Sequence, residues 1–133
     1  VADLSFFGGL PMKKIFLYEP DAAIFEIISL ILADEGCQVR KFPYWEGDLA
    51  TAVVSYVPDL VMMDCFQDLL RPARLCRLIS VLCPQTSLIA TSCNSDIDHT
   101  YRKMGFDTYL RKPFDIAQLT KLVNRYIPQT AGC

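Results

Sequence analysis

Short apolar runs alternate strictly with stretches of helical spacing along this chain, and that alternation restricts the fold more than any other feature. Ile15-Phe16-Leu17-Tyr18 is apolar throughout, as a strand covered on both faces should be. Ile24, Ile27, Ile28, Ile31 and Leu32 then recur at three- and four-residue steps, which predicts a helix from Asp21 to Glu35 stopped by Gly36. Gln38 to Phe42 reads as a second strand and Glu46 to Tyr56 as a second helix. Leu60-Val61-Met62-Met63 forms a third strand ending at Asp64. A third helix, with Pro72 in its first turn, runs to Leu82 and turns Leu75, Leu78, Ile79 and Leu82 to the core. Ser87 to Ala90 is the fourth strand, Asp96 to Met104 the fourth helix and Thr108 to Arg111 the fifth strand. Asp115 caps a last helix carrying Ile116, Leu119, Leu122, Val123 and Tyr126. Strands alternating with helices predict an α/β fold, a doubly wound five-stranded parallel sheet.

Composition narrows the function. The chain has 133 residues, enough for one domain, and a net charge of -2 gives no electrostatic footprint for direct nucleic-acid binding or for an anionic membrane. The longest apolar stretch, Ala22 to Ala33, is interrupted by Glu26 and Ser29 and falls short of a membrane span. Val1 to Pro11 shows little pattern and no basic segment of a secretory signal; it reads as added sequence or a loose arm before a start at Met12. The domain is expected over 12–128, with 129–133 as a tail. The six cysteines contain no C-x-x-C pair and only one histidine, His99, accompanies them. They read as buried free thiols of a reducing cytoplasm rather than a zinc site.

In doubly wound sheets ligands bind outside the carboxyl ends of the strands. Glu19 and Asp21 follow strand one, Asp64 ends strand three, Thr91 and Ser92 follow strand four, and Lys112 follows strand five. Phosphoryl transfer to a carboxylate would use each of them. Asp64 would be the nucleophile. The neighbouring carboxylates would hold Mg²⁺, a hard cation that takes oxygen ligands. Lys112 would pair with a phosphate oxygen as a point charge, and Thr91 would hydrogen-bond the modified Asp64. A dinucleotide fold or a P-loop would need glycines after strand one, and Glu19-Pro20-Asp21-Ala22 has none. Acidic residues there would also repel the phosphate of a flavin.

Tyr18-Glu19-Pro20-Asp21, Pro58 to Asp64, Ala90-Thr91-Ser92 and Lys112-Pro113-Phe114, in this order and spacing, resemble the receiver domain of bacterial response regulators over nearly all of residues 13–127. The stretch Gly105 to Phe114 is especially similar. The resemblance implies a flavodoxin-like topology with strand order 2-1-3-4-5, and a domain that is not a conventional enzyme, at most assisting its own phosphorylation and dephosphorylation. It implies Asp64 as phosphoacceptor, Lys112 and Thr91 as phosphate-contacting residues, and Tyr109 as the switch aromatic. It also implies a metal set of Glu19, Asp21, Asp64 and the backbone carbonyl of Phe66. The implied partners are a sensor histidine kinase or phosphotransfer protein and a downstream effector; homodimers through helix four, strand five and helix five are common in the family.

Two departures stand out. Pro20 occupies the place where the family carries its second acidic residue, so Mg²⁺ binding is expected to be weakened unless Asp21 reaches round. The loop Cys65 to Pro72 lacks the usual Pro and Gly. A degenerate receiver, working as a phosphorylation-independent interaction module, is therefore the competing expectation. Simpler roles are also open: Glu19 and Asp21 as caps of the first helix, Tyr109 as a half-buried strand aromatic, Tyr44 and Trp45 as local loop packing, and Arg71, Arg74 and Arg77 as one wetted helix face.

Overall fold

Apolar runs become strands in this chain because both faces of the sheet are covered. The computed structural model describes residues 6–7, 10–45, 47–66 and 69–127. Strands β1 (Lys13–Tyr18), β2 (Cys37–Lys41), β3 (Leu60–Asp64), β4 (Ser87–Ser92) and β5 (Thr108–Arg111) form one sheet. Its order is β2-β1-β3-β4-β5 with every neighbouring pair parallel, the expected 2-1-3-4-5. Between the strands run α1 (Ala22–Asp34), α2 (Leu49–Tyr56), α3 (Leu70–Leu82) and α4 (Ile97–Met104), and α5 (Ile116–Tyr126) follows the last.

Alternation along each strand splits the core in two. Phe16, Tyr18, Val61, Met63, Leu88 and Ala90 pack with α2, α3 and α4. Ile15, Leu17, Leu60, Met62 and Ile89 point the other way and pack with α1 and α5. All five residues of β3 are buried, so the middle strand, which carries Asp64, is the most enclosed part of the frame.

Local chemistry sets the helix ends. Asp115 and Gln118 make a reciprocal capping box at α5. Helix α2 starts at Leu49, later than the expected Glu46, because the Asp48 carboxylate caps it by accepting from Thr51 N at 3.3 Å. On α1 only Ile28 and Leu32 are fully buried. Ile27 is 56% exposed, and across a groove of about 820 Å³ Ile116 is 62% exposed. Helical spacing thus overstated the core face of α1. The leading residues expected as a loose arm include a short antiparallel pair, Phe6–Phe7 with Leu10–Pro11. Residues 129–133, with Cys133, lie outside the described residues. Among the described residues no helix is long and apolar enough to cross a membrane.

Two backbone positions take left-handed conformations with opposite consequences. Gly105 closes α4 at φ 102°, and a Cβ there would sit 3.1 Å from the Cβ of Cys76. Val57 closes α2 at φ 49°, a conformation that a β-branched side chain disfavours. Replacing Gly105→Ala is expected to cost about 1–2 kcal/mol in urea denaturation. Val57→Gly is expected to raise stability by about 0.5–1 kcal/mol, the relief of the left-handed penalty less the added entropy of the unfolded chain.

Candidate functional site

The carboxyl edge of the sheet gathers charge because three strand ends carry it there. Backbone bonds extend the ladder past the strands: Cys65 N donates to Thr91 O at 2.8 Å and Lys112 N donates to Ser92 O at 2.9 Å. These bonds tie the loops after β3 and β5 to the end of β4. The Lys112–Pro113 peptide bond is cis.

From that anchor the Lys112 side chain reaches back over the end of β4. Its ammonium donates to Asp64 Oδ1 at 2.9 Å and to Glu19 Oε1. Glu19 and Asp64 are both buried, at 8% and 6% exposure. Thr91, fully covered, places Oγ1 3.5 Å from Asp64 Oδ1. Burial alone would lower the Lys112 pKa; the hydrogen bonds and negative charges of Glu19 and Asp64 outweigh it and hold the ammonium above the usual lysine value. Two carboxylates and one ammonium leave one net negative charge in the pocket.

Not every expected residue joins this cluster. Asp21 is exposed and caps α1: its Oδ1 accepts from Ala23 N at 3.0 Å and Ile24 N at 3.1 Å. Only its backbone N–H reaches the site, donating to Glu19 Oε2 at 3.0 Å. The cap role that sequence left open is the one the structure gives Asp21. Among the described residues no three His, Cys, Asp or Glu side chains gather as a metal cluster. Of the expected metal set, the Glu19 and Asp64 carboxylates stand together in the cluster and could hold Mg²⁺. Mg²⁺ commonly takes one or two carboxylates and fills its shell with water, so this set fits the ion with a thin protein shell. Tyr109 lies beside β4 at the level of Ala90. Its ring meets Tyr101 at 4.9 Å and carries Arg111 at 5.6 Å, half-buried over α4 and outside the ionic cluster.

Sequence reasoning missed the wall on the α3 side. Tyr18 stacks on Tyr44 at 3.9 Å and 14°, and Tyr44 meets Trp45 edge-on at 4.7 Å. The Arg71 guanidinium lies 4.8 Å from the Tyr44 ring and 4.5 Å from the Trp45 ring, and it donates to the Tyr44 carbonyl. Arg74 and Arg77 are exposed as expected, but Arg71 is not part of a wetted face. The signal was present as two consecutive aromatics and an arginine at a helix start, residues that stack when brought together.

Removing Lys112 should leave two buried carboxylates without a counter-charge. Lys112→Met is expected to cost about 3 kcal/mol at neutral pH, and adding Glu19→Gln should recover part of it in urea denaturation. In the unsubstituted chain the raised pKa makes this contribution complete below about 10.4, the unfolded lysine value. It is lost as pH rises through the higher folded value.

No protein-family profile matches the chain. Over 117 residues, 86% of this chain, it is 28% identical to the DNA-binding transcriptional regulator NtrC of Proteus hauseri. The chain spans 24% of that regulator's length. Its fold is similar to that of a CheY-like protein from Pseudomonas aeruginosa PAO1, with a TM-score of 0.74 at 14% identity, covering 86% of this chain and 98% of that one. It is also similar to the receiver domain of a sensor histidine kinase from the same organism, which has a magnesium ion coordinated in its active-site cleft. That match has a TM-score of 0.72 at 22% identity and covers 87% of this chain and 98% of the other. In sequence this chain is similar to a part of a response regulator, and in fold it is similar to receiver domains.

Proposed function

We propose that the domain is a working phosphoacceptor switch in a phosphorelay, with Asp64 as the acceptor. The observation that carries this reading is the shared ammonium: Lys112 holds Asp64 and Glu19 together while Thr91 approaches the same Asp64 oxygen. The donor would be a phosphohistidine of a sensor kinase or phosphotransfer protein. An Asp64 oxygen attacks phosphorus as the P–N bond breaks, and the electron pair leaves on the imidazole nitrogen, which takes a proton from water. Lys112 pairs with the arriving phosphoryl oxygens, and Thr91 donates its hydroxyl to them. Mg²⁺, held by Glu19, Asp64 and the Phe66 carbonyl, would neutralise charge on the phosphoryl group. As Thr91 is drawn to the phosphoryl group, the space between it and the Tyr101–Tyr109 pair changes. Tyr109 is thus the residue through which the surface of α4 and β5 would read the event.

Incubation with phosphoramidate and Mg²⁺ should add one phosphoryl mass to the chain. That mass should be absent in Asp64→Asn and should form about a hundredfold more slowly in Lys112→Ala. An unlabelled chain under these conditions would remove the reading.

The thin metal shell favours a second reading, a degenerate receiver that binds its effector without phosphate. Calorimetric titration separates the two. A working switch should bind Mg²⁺ in the millimolar range or tighter and lose it in Glu19→Gln, whereas the degenerate domain should show no Mg²⁺ heat. Asp21→Ala is expected to leave Mg²⁺ affinity unchanged and to cost about 1 kcal/mol of stability as a lost helix cap.

A further inference from the structure

The loop from β2 into α2 is anchored beside the acceptor pocket. Phe42 N donates to Leu17 O at 2.9 Å, which carries Tyr44 to the level of Tyr18 and Glu19. Tyr44 then lies flat on Tyr18, and Tyr18 hydrogen-bonds with the Trp45 side chain. Its hydroxyl pKa is raised first by burial and further by the charges of Asp64 and Glu19, so the stack stands against the ionic cluster. On the outer side Arg71 reaches from the first turn of α3 and covers Tyr44 and Trp45 at once. Trp45 is 70% exposed, so the outermost layer of this wall faces water. Cys65, the residue after Asp64, is 3% exposed and belongs to the same core cluster as Tyr18 and Tyr44.

We propose that Arg71 is the access-determining residue of the acceptor pocket: by clasping Tyr44 and Trp45 it holds the loop before α2 shut along the α3 side of Asp64. A guanidinium suits this task because it can stack on two rings and still donate to a carbonyl in its own plane. The outer contacts, Arg71 on Tyr44 and Trp45 and the exposed Trp45 ring on the buried Tyr44 ring, are not ladder bonds, so this outer layer can open without disturbing the sheet. The consequence for labelling rests on Asp64 being the acceptor; the clasp itself does not.

Cys65 provides a readout that needs no phosphate. Its thiol is buried at 3% exposure, so a reagent from solvent reaches it only when its cover opens. Native chain, Arg71→Ala and Trp45→Ala would be treated with iodoacetamide and each cysteine followed by peptide mass spectrometry. Cys37 is the internal control, because it is 4% exposed, begins β2 at the opposite edge and lies in the other core layer. Both variants should alkylate Cys65 about tenfold faster, the equivalent of about 1.4 kcal/mol of lost closure, with Cys37 unchanged. Phosphoramidate labelling of Asp64 should accelerate by a similar factor. An unchanged Cys65 rate would overturn the clasp, and so would a Cys37 rate that rises in step, which marks general loosening. Faster Cys65 alkylation with no Asp64 labelling in any chain would uphold the clasp and sink the acceptor reading instead.

Discussion

One ammonium group holds the working edge of this domain together. Glu19 ends up beside Asp64 because β1 and β3 are neighbours, and both carboxylates are buried. Two such charges side by side in a partly dry pocket repel each other, and neither is solvated well enough to bear it alone. The counter-charge comes from β5, which is separated from β3 by β4. Lysine suits that span because its stem is long enough to cross a strand end and its head is a compact point charge. The backbone bond from Lys112 N to Ser92 O fixes where the crossing starts. Thr91 lies under the crossing, and this is why its hydroxyl meets the same Asp64 oxygen that the lysine holds.

The same ammonium sets the terms for anything that enters. The pocket carries one net negative charge, so it attracts a cation and resists an anion. In the proposed switch a divalent cation beside Glu19 and Asp64 would reverse that sign and so favour a phosphoryl group. The lysine would then share with the cation the carboxylates it pairs with. Pro20 removes one side-chain oxygen from this competition, and the α1 cap uses Asp21 Oδ1. In the proposed switch lysine and metal would divide two carboxylates, and the balance between them would set how readily the domain responds.

The fold was legible in the sequence because it rests on periodicity. Runs buried on both faces, helical steps and glycines past helix ends report local geometry, and they placed Asp64, Thr91 and Lys112 at one edge. Helical spacing was less informative about depth: Ile27 keeps the step of its neighbours and still faces water, since α1 covers only part of its apolar side. Asp21 was ambiguous because a carboxylate suits both a metal and a helix N-terminus. Only the observed bonds from Ala23 N and Ile24 N separate the two. The aromatic wall was not legible, because Tyr18, Tyr44, Trp45 and Arg71 come from a strand end, a loop and a helix start. Their contact depends on how far the chain turns after β2, and no spacing rule reports that.

The two sides of the pocket are built from different materials, and that difference divides their labour. On the β4–β5 side a buried ion pair and ladder hydrogen bonds fix the lysine and the hydroxyl, and moving them means breaking charged contacts in a low-dielectric site. On the α3 side the Arg71 guanidinium and the exposed Trp45 ring cover the buried Tyr18–Tyr44 stack, and each of these outer contacts contributes about 0.5–1 kcal/mol. The proposed chemistry at Asp64 would need the first kind of construction, because Lys112 and Thr91 would have to be in place when phosphorus arrives. Entry would need the second, because an outer layer that opens cheaply could admit a donor without loosening the sheet.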